Sequence, residues 1–502
     1  MISSGLFVFL FLIVAVTIMG FFAARWHSGN LNNLDEWALG GRRFGTIVSW
    51  FLLGGDLYTA YTFIAVPALI FGTGALGFFA VPYATIAYPF VFVVMPRFWS
   101  IAKRRGYVTT ADFVRDRYGS RALELAVALT GVFAAMPYIA LQLVGMQVVF
   151  AQFGGAQAQS AEKIALVVAF VILAAYTYTS GLRAPALIAF VKDTLIYVTV
   201  IAAVIIIPGK LGGFAHIFQV AASVLPLKKP PGTIIIPSSL YFAYATLALG
   251  SCLSLFIYPH SITSILSAKS RLVIQRNTAL LPLYTILLGL LALLGYCALA
   301  AGLKPKNPNY AIPQLFAKFF PDWFAGVAFA AIVIGALVPA AIMAIGAANL
   351  FASNVFAEYF SRSGRQGAQT RVARFLCLVV LAGALLLVLF LPTPYAINFQ
   401  LLGGGWMLQI FPSLVIGLYT NWFHPRALLI GWAAGMLAGT AMAVSTGFKP
   451  IYALPLGQGA LSGYIALYAL VLNLLVTVVL TFVFNGIKIA RATDLTAAAD
   501  YV

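Results

Sequence analysis

Phe51-Leu-Leu-Gly-Gly-Asp-Leu-Tyr-Thr-Ala-Tyr-Thr62 places one carboxylate, Asp56, deep inside an apolar run long enough to cross a bilayer as a helix. An ionised carboxylate at that depth costs on the order of 3 kcal/mol unless it is paired, hydrated or neutralised. It therefore faces the protein interior or a water-filled cavity. Gly54 and Gly55, directly before it, favour an interruption of the helix. An interruption frees carbonyls and amides at mid-bilayer, the arrangement that forms ion and solute sites in secondary transporters. Two readings of Asp56 stand side by side: a coupling or substrate group, or a buried structural hydrogen-bonding group.

Outward from this stretch the chain keeps one character. Of 502 residues, 62% are hydrophobic and 8% are charged, against about 25% charged in a soluble domain. Apolar runs at 5–24, 46–70, 74–96, 122–152, 163–181, 185–208, 237–262, 277–301, 323–350, 372–391, 398–420, 428–445 and 459–484 give thirteen expected spans. They lack the strict period-two alternation of a barrel, so they are read as helices. The first is expected to be a retained helix, because no basic residue precedes it and no small-residue cleavage pattern follows it.

The formal net charge of +18 would raise nucleic acid as a partner in a soluble protein. Here the bases lie in short loops. With the N-terminus outside and the C-terminus inside, 21 of the 30 lysines and arginines fall on the inner side, and no outer segment contains an arginine. The distribution thus explains the charge by the membrane and excludes nucleic acid. No phosphate-binding glycine loop or zinc-type histidine cluster occurs, and the loops are too short for a nucleotide-driven motor. An enzyme, a cofactor, a metal and an obligate protein partner are all unexpected; the partners are a small solute and the lipid bilayer. Cys252, Cys297 and Cys377 lie in apolar runs and read as small buried hydrophobes.

Other polar features recur within the spans. A second interruption is expected around Leu249-Gly-Ser-Cys-Leu-Ser254 and Tyr258-Pro-His-Ser261, where Gly250 and Pro259 weaken helical bonding. Two interruptions five spans apart fit two five-helix inverted repeats, 46–208 and 237–391. An extra N-terminal segment (1–45) precedes them, an outer loop (209–236) separates them and three C-terminal helices (392–502) follow. His260 is either a structural or gating contact or a proton carrier. Lys192 and Asp193 are candidate gating residues. Neighbouring helical positions point about 100° apart and need not pair, so Lys192 can snorkel inward while Asp193 needs an internal partner or a proton. Gly335-Ala-Leu-Val-Pro-Ala-Ala-Ile-Met-Ala-Ile-Gly-Ala-Ala-Asn-Leu350 allows close backbone approach, and Pro339 leaves the Gly335 carbonyl without its helical donor.

The stretch from Val108 to Tyr118 reads as an interfacial helix, capped by Thr109 or Thr110, with Phe113 and Tyr118 toward lipid and Arg115 and Arg117 toward headgroups. Trp26, Trp37, Trp99, Trp323 and Trp422 read as interface anchors. Gln142, Gln147, Tyr138, Tyr241 and Tyr244 are candidate cavity-lining groups.

Glu36-Trp-Ala-Leu-Gly-Gly-Arg-Arg-Phe-Gly45, Thr109-Thr-Ala-Asp-Phe-Val-Arg-Asp-Arg-Tyr-Gly119, Thr179-Ser-Gly-Leu-Arg-Ala184 and Pro259-His260 occur in this order across the chain. Together they resemble the sodium:solute symporter family, and in wording the branch that includes bacterial monocarboxylate permeases. The resemblance implies an all-α, leucine-transporter-like fold in the bacterial inner membrane and alternating access for a monocarboxylate or amino acid. It also implies a sodium site built from carbonyls matching Gly54, Leu57 and Ala341 and from two hydroxyl side chains. Those hydroxyl positions are Ala344 and Ile345 here, and the family's inner Thr-Asp pair is matched by Ile188 and Ala189. Alkyl groups cannot replace oxygen ligands, so proton coupling through Asp56 is the expectation. Sodium, with oxygens from Asp56, Tyr58, Thr59 or Ser251, is the alternative, and a transporter-like sensor or regulatory subunit is a further class.

Overall fold

The computed structural model describes residues 3–25, 29–55, 58–153, 158–360, 367–390, 395–457 and 459–502. Asp56, Leu57 and Trp26 lie outside the described residues.

Eleven helices among the described residues are long and apolar enough to cross a membrane. Their outer faces carry large apolar side chains in the open, such as Phe7 and Phe11 on helix Ser4–Phe22, 65% and 62% exposed. Such a surface suits a molecule whose solvent is hydrocarbon. At the centre runs Asp322–Phe351, whose most apolar stretch is wholly buried. It is rich in alanine and glycine, so Ser4–Phe22, Arg121–Phe150, Arg183–Lys210 and Ala368–Phe390 all pack closely on it.

The second core helix is interrupted. Its first half, Thr46–Gly55, ends on the paired glycines, and its second half resumes as a π turn over Tyr61–Ala65 leading into Val66–Thr73. A second interruption separates Tyr241–Leu255 from Pro259–Leu266. The stretch Leu249–Ser254 is continuous helix, so of the two expected places the break falls at the second, over Phe256–Tyr258 just before Pro259. Proline fits there because the first turn of a helix needs no amide donor at that position. The start of the first interrupted helix and the end of the second are tied together: Phe44 N donates to Ser267 O at 3.1 Å, and Lys269 N to Phe44 O at 3.0 Å.

Several local expectations change. Thr109 does cap helix Thr110–Tyr118, through a reciprocal box with Asp112. Phe113 and Tyr118, however, are buried in protein rather than turned to lipid: Phe113 meets Phe98 edge to face, and Tyr118 lies against Gly417. Arg117 reaches the Gly417 carbonyl and Asp494 instead of headgroups. Trp37 is wholly buried, with its carbonyl accepting from Leu182 N, and is no interface anchor. An amphipathic helix, Gly213–Val224, and an antiparallel hairpin, Ile451–Leu456 with Gly459–Tyr464, were not foreseen.

Candidate functional site

The last carbonyls of an α-helix have no partner within it, and the helix dipole makes that end attractive to cations. Gly55 closes the half-helix Thr46–Gly55, and the group that meets it is Lys192 on helix Arg183–Lys210. Its ammonium donates to the Gly55 carbonyl at 2.6 Å and to the Tyr58 carbonyl at 3.3 Å, bridging the interruption. The same ammonium stands 2.8 Å from Asp193 Oδ1, and both side chains are 0% exposed. Lys192 therefore does not snorkel to the interface. Its long stem turns along the helix to the free carbonyls, and the two adjacent residues pair after all.

Aromatic rings enclose this pair. Tyr284, on helix Pro282–Ala300, donates from its phenol to Asp193 Oδ2 at 3.2 Å, and its own carbonyl accepts from the Tyr58 phenol at 2.7 Å. A β-carbon at Gly54 would come within 2.5 Å of the Tyr284 ring, and one at Gly55 within 2.6 Å of the Lys192 nitrogen. The glycines thus make room for both partners as well as ending the helix. The interruption is fixed from the other side by Gln142, whose Oε1 accepts from Ala60 N at 3.1 Å and whose amide donates to Thr59 Oγ1 at 3.4 Å. Thr59 Oγ1 also accepts from Tyr61 N at 2.9 Å.

Next to the interruption lies a tight cavity of about 10 Å³ lined by Tyr58, Tyr61, Tyr83, Ala84, Tyr88, Tyr138, Tyr284, Thr285 and Leu288. Among the described residues, no ionisable acid or base other than tyrosine lines it. The buried Tyr61 hydroxyl has no hydrogen-bond partner among the described residues. His260 packs between Tyr138 and Tyr258, with ring centroids 5.3 and 5.2 Å away, one layer behind the cavity.

Of the residues singled out from sequence, the structure brings Gly54, Gly55, Tyr58, Thr59, Lys192, Asp193, Gln142 and Tyr138 to this one region. Ser251 is buried beside the second interruption, with no partner for its hydroxyl among the described residues. Ala341, Ala344 and Ile345 are buried on the central helix, and it is Gly335, earlier on that helix, that approaches the site: a methyl there would lie 3.9 Å from the Tyr58 carbonyl oxygen. Ile188 packs against Gly20 of the first helix, and Ala189 is buried. Gln147 and Tyr241 do not line the cavity; Tyr241 is 61% exposed. Tyr244 bonds to the Phe78 carbonyl instead. Tyr61, Tyr83, Tyr88, Tyr284 and Thr285 were missed. Their only signal in sequence is a hydroxyl within an apolar run.

A model of the sodium:solute symporter family matches residues 37–439. A monocarboxylate transport permease protein of Rhizobium johnstonii is 53% identical over 478 residues, covering 95% of this chain and 96% of the relative. An uncharacterized symporter of Bacillus subtilis is 33% identical, covering 89% of this chain and 90% of its own. Among solved structures, a substrate-bound, outward-open Na+-coupled sialic acid symporter aligns with a TM-score of 0.75 at 15% identity, covering 98% of this chain and 99% of that one. A nucleobase-cation-symport-1 family transporter in a closed conformation aligns with a TM-score of 0.58 at 11% identity, covering 95% and 100%. These likenesses show an all-α polytopic transporter with a leucine-transporter-like fold. They also correct the expectation of proton coupling, since the matching family is one of sodium:solute symporters. The missing hydroxyls at Ala344 and Ile345 are no argument for protons when backbone and carboxylate oxygens gather elsewhere around the interruption.

Proposed function

The chain belongs to the sodium:solute symporter family as a secondary active transporter of a small organic solute in the bacterial inner membrane, and from that premise we propose that it imports small monocarboxylates by alternating access coupled to sodium. Relatedness to a monocarboxylate transport permease over nearly the whole chain supports the solute class. The observation that carries the reading is the small tyrosine-lined cavity opening on an interrupted helix. Hydroxyl donors on aromatic walls suit a ligand with one carboxylate and a short apolar body. The Tyr61 hydroxyl is free to donate to such a carboxylate.

Sodium finds oxygen in the Gly55 and Tyr58 carbonyls. Asp56, which follows Gly55 in sequence, is the coupling carboxylate in this reading. The chain crosses the membrane thirteen times with its N-terminus outside and its C-terminus inside. Its repeats are 46–208 and 237–391, as the one-sided arginines and the paired interruptions support.

Competition against labelled lactate uptake in proteoliposomes tests the solute class. Pyruvate should displace lactate strongly, alanine weakly and proline not at all, and Tyr61→Phe should raise the lactate KM. Equal competition by proline, or an unchanged KM in Tyr61→Phe, would remove the assignment.

A further inference from the structure

The ammonium of Lys192 has three hydrogens to donate and no capacity to accept, and among the described residues three oxygens face it: Gly55 O at 2.6 Å, Tyr58 O at 3.3 Å and Asp193 Oδ1 at 2.8 Å. The first belongs to the C-terminal end of a half-helix, where carbonyls lack partners and the dipole favours positive charge. The third is in ion-pair contact but accepts no aligned hydrogen bond among the described residues, so part of its lone-pair capacity is unspent. This is an oxygen-lined seat for a monovalent cation, held by a cation that the chain itself supplies.

We propose that Lys192 is a tethered cation that occupies the seat at the interrupted helix in the absence of sodium, and that sodium enters by displacing the ammonium from the Gly55 and Tyr58 carbonyls onto Asp193. Lys192 is then a positioning residue with two arrangements. On the carbonyls it bridges the two halves of the interrupted helix; drawn back onto Asp193 it yields the carbonyls to the ion. The stem of a lysine can swing over this distance without backbone movement, and Asp193 Oδ2 stays anchored by the Tyr284 phenol during the exchange. The proposal rests on the sodium reading above and adds a competitor for the same oxygens.

Two substitutions at the pair should shift sodium affinity in opposite directions, which a merely structural ion pair would not do. Lys192→Gln keeps a donor near the carbonyls but removes the charge, so sodium should half-saturate lactate uptake at a concentration about tenfold lower, the scale of about 1.4 kcal/mol of removed competition. Asp193→Asn removes the refuge of the ammonium and should raise that concentration. Gly55→Ala is a second route to the first effect, because its methyl would meet the Lys192 nitrogen at 2.6 Å and push aside only the end of a flexible side chain.

The measurements are sodium titrations, in choline-balanced buffer, of lactate uptake in proteoliposomes and of thermal stability in detergent, on the full-length chain and each variant. A folded Lys192→Gln protein whose sodium response lies within about twofold of the parent, at the precision that separates 0.4 kcal/mol, overturns the proposal while leaving sodium coupling intact. A sodium-insensitive parent with a sodium-responsive Lys192→Gln overturns sodium coupling while supporting the tethered cation. Insensitivity of both overturns both. Should Lys192→Gln not fold, Gly55→Ala decides by the same criteria.

Discussion

The phenol of Tyr58 donates a 2.7 Å hydrogen bond to the backbone carbonyl of Tyr284. Their rings lie 4.6 Å apart between centroids. This contact joins the interrupted helix to helix Pro282–Ala300 across the cavity, and it sets the spacing between the Lys192–Asp193 pair and the solute walls. Tyr58→Phe keeps the ring but leaves the Tyr284 carbonyl with only its own helix's amide, at a cost of about 0.5–1.5 kcal/mol. The variant should fold, melt at a lower temperature and bind lactate more weakly. Thermal unfolding and lactate binding on the same preparation check this; parent values for both would mean that the bond does not set the cavity.

Asn354 gathers helices Thr110–Tyr118 and Arg121–Phe150 around itself. Its amide donates to Asp112 Oδ1 at 2.6 Å and Glu124 Oε1 at 2.9 Å, and its carbonyl accepts from Thr109 Oγ1 at 2.7 Å. Burial raises the carboxyl of Asp112 above its ordinary range, while the bonds from Asn354, Val108 and Thr109 oppose the rise. Asn354→Ala removes the shared donor from two neighbouring acids and should cost at least about 1–3 kcal/mol, loosening the interfacial helix. A cysteine placed at Ser353 should react faster with an inner-side thiol reagent in that background. An unchanged labelling rate would show that the network does not hold this side closed.

The segment after the last helix folds back on the inner loop. Asp494 pairs with Arg117, Asp500 with Arg105, and Tyr501 lies under Arg97. The Ala497 amide and then Arg105 hold the Asp500 carboxyl below its ordinary value. A group lowered in the docked state gives its full contribution above the ordinary carboxylate range and loses it as pH falls through the lowered value. The tail should therefore stay docked at neutral pH and release under acid, below about pH 4. Asp500→Asn should mimic release at neutral pH, seen as faster hydrogen exchange across 490–502; exchange equal to the parent would contradict the contact.

The interruption was legible because Gly54, Gly55 and a mid-membrane acid sit together, a combination that an uninterrupted lipid-facing helix does not tolerate. The ion pair was not. Consecutive helical residues diverge in direction, and only the free carbonyls of a distant segment explain why Lys192 turns back beside Asp193. Tyr284 and Thr285 were invisible for a related reason. A tyrosine in an apolar run looks the same whether its hydroxyl meets a cavity or a polar neighbour, and the Tyr284 hydroxyl meets Asp193, 91 residues away. Phe113 and Tyr118 were misread because a short amphipathic helix shows an apolar face without showing whether lipid or protein covers it. In the hairpin, Ile451-Tyr-Ala-Leu-Pro-Leu456 carries a proline and no clean alternation, so neither strand announces itself.

Sodium and proton gradients imposed separately on proteoliposomes holding the purified chain distinguish the coupling ion at once. Labelled lactate should accumulate against its gradient when sodium is high outside and pH is equal on both sides, and Asp56→Asn should abolish that accumulation while lactate exchange persists. Accumulation driven by a pH gradient in sodium-free buffer, with no response to sodium, would contradict a sodium-coupled mechanism at the interrupted helix.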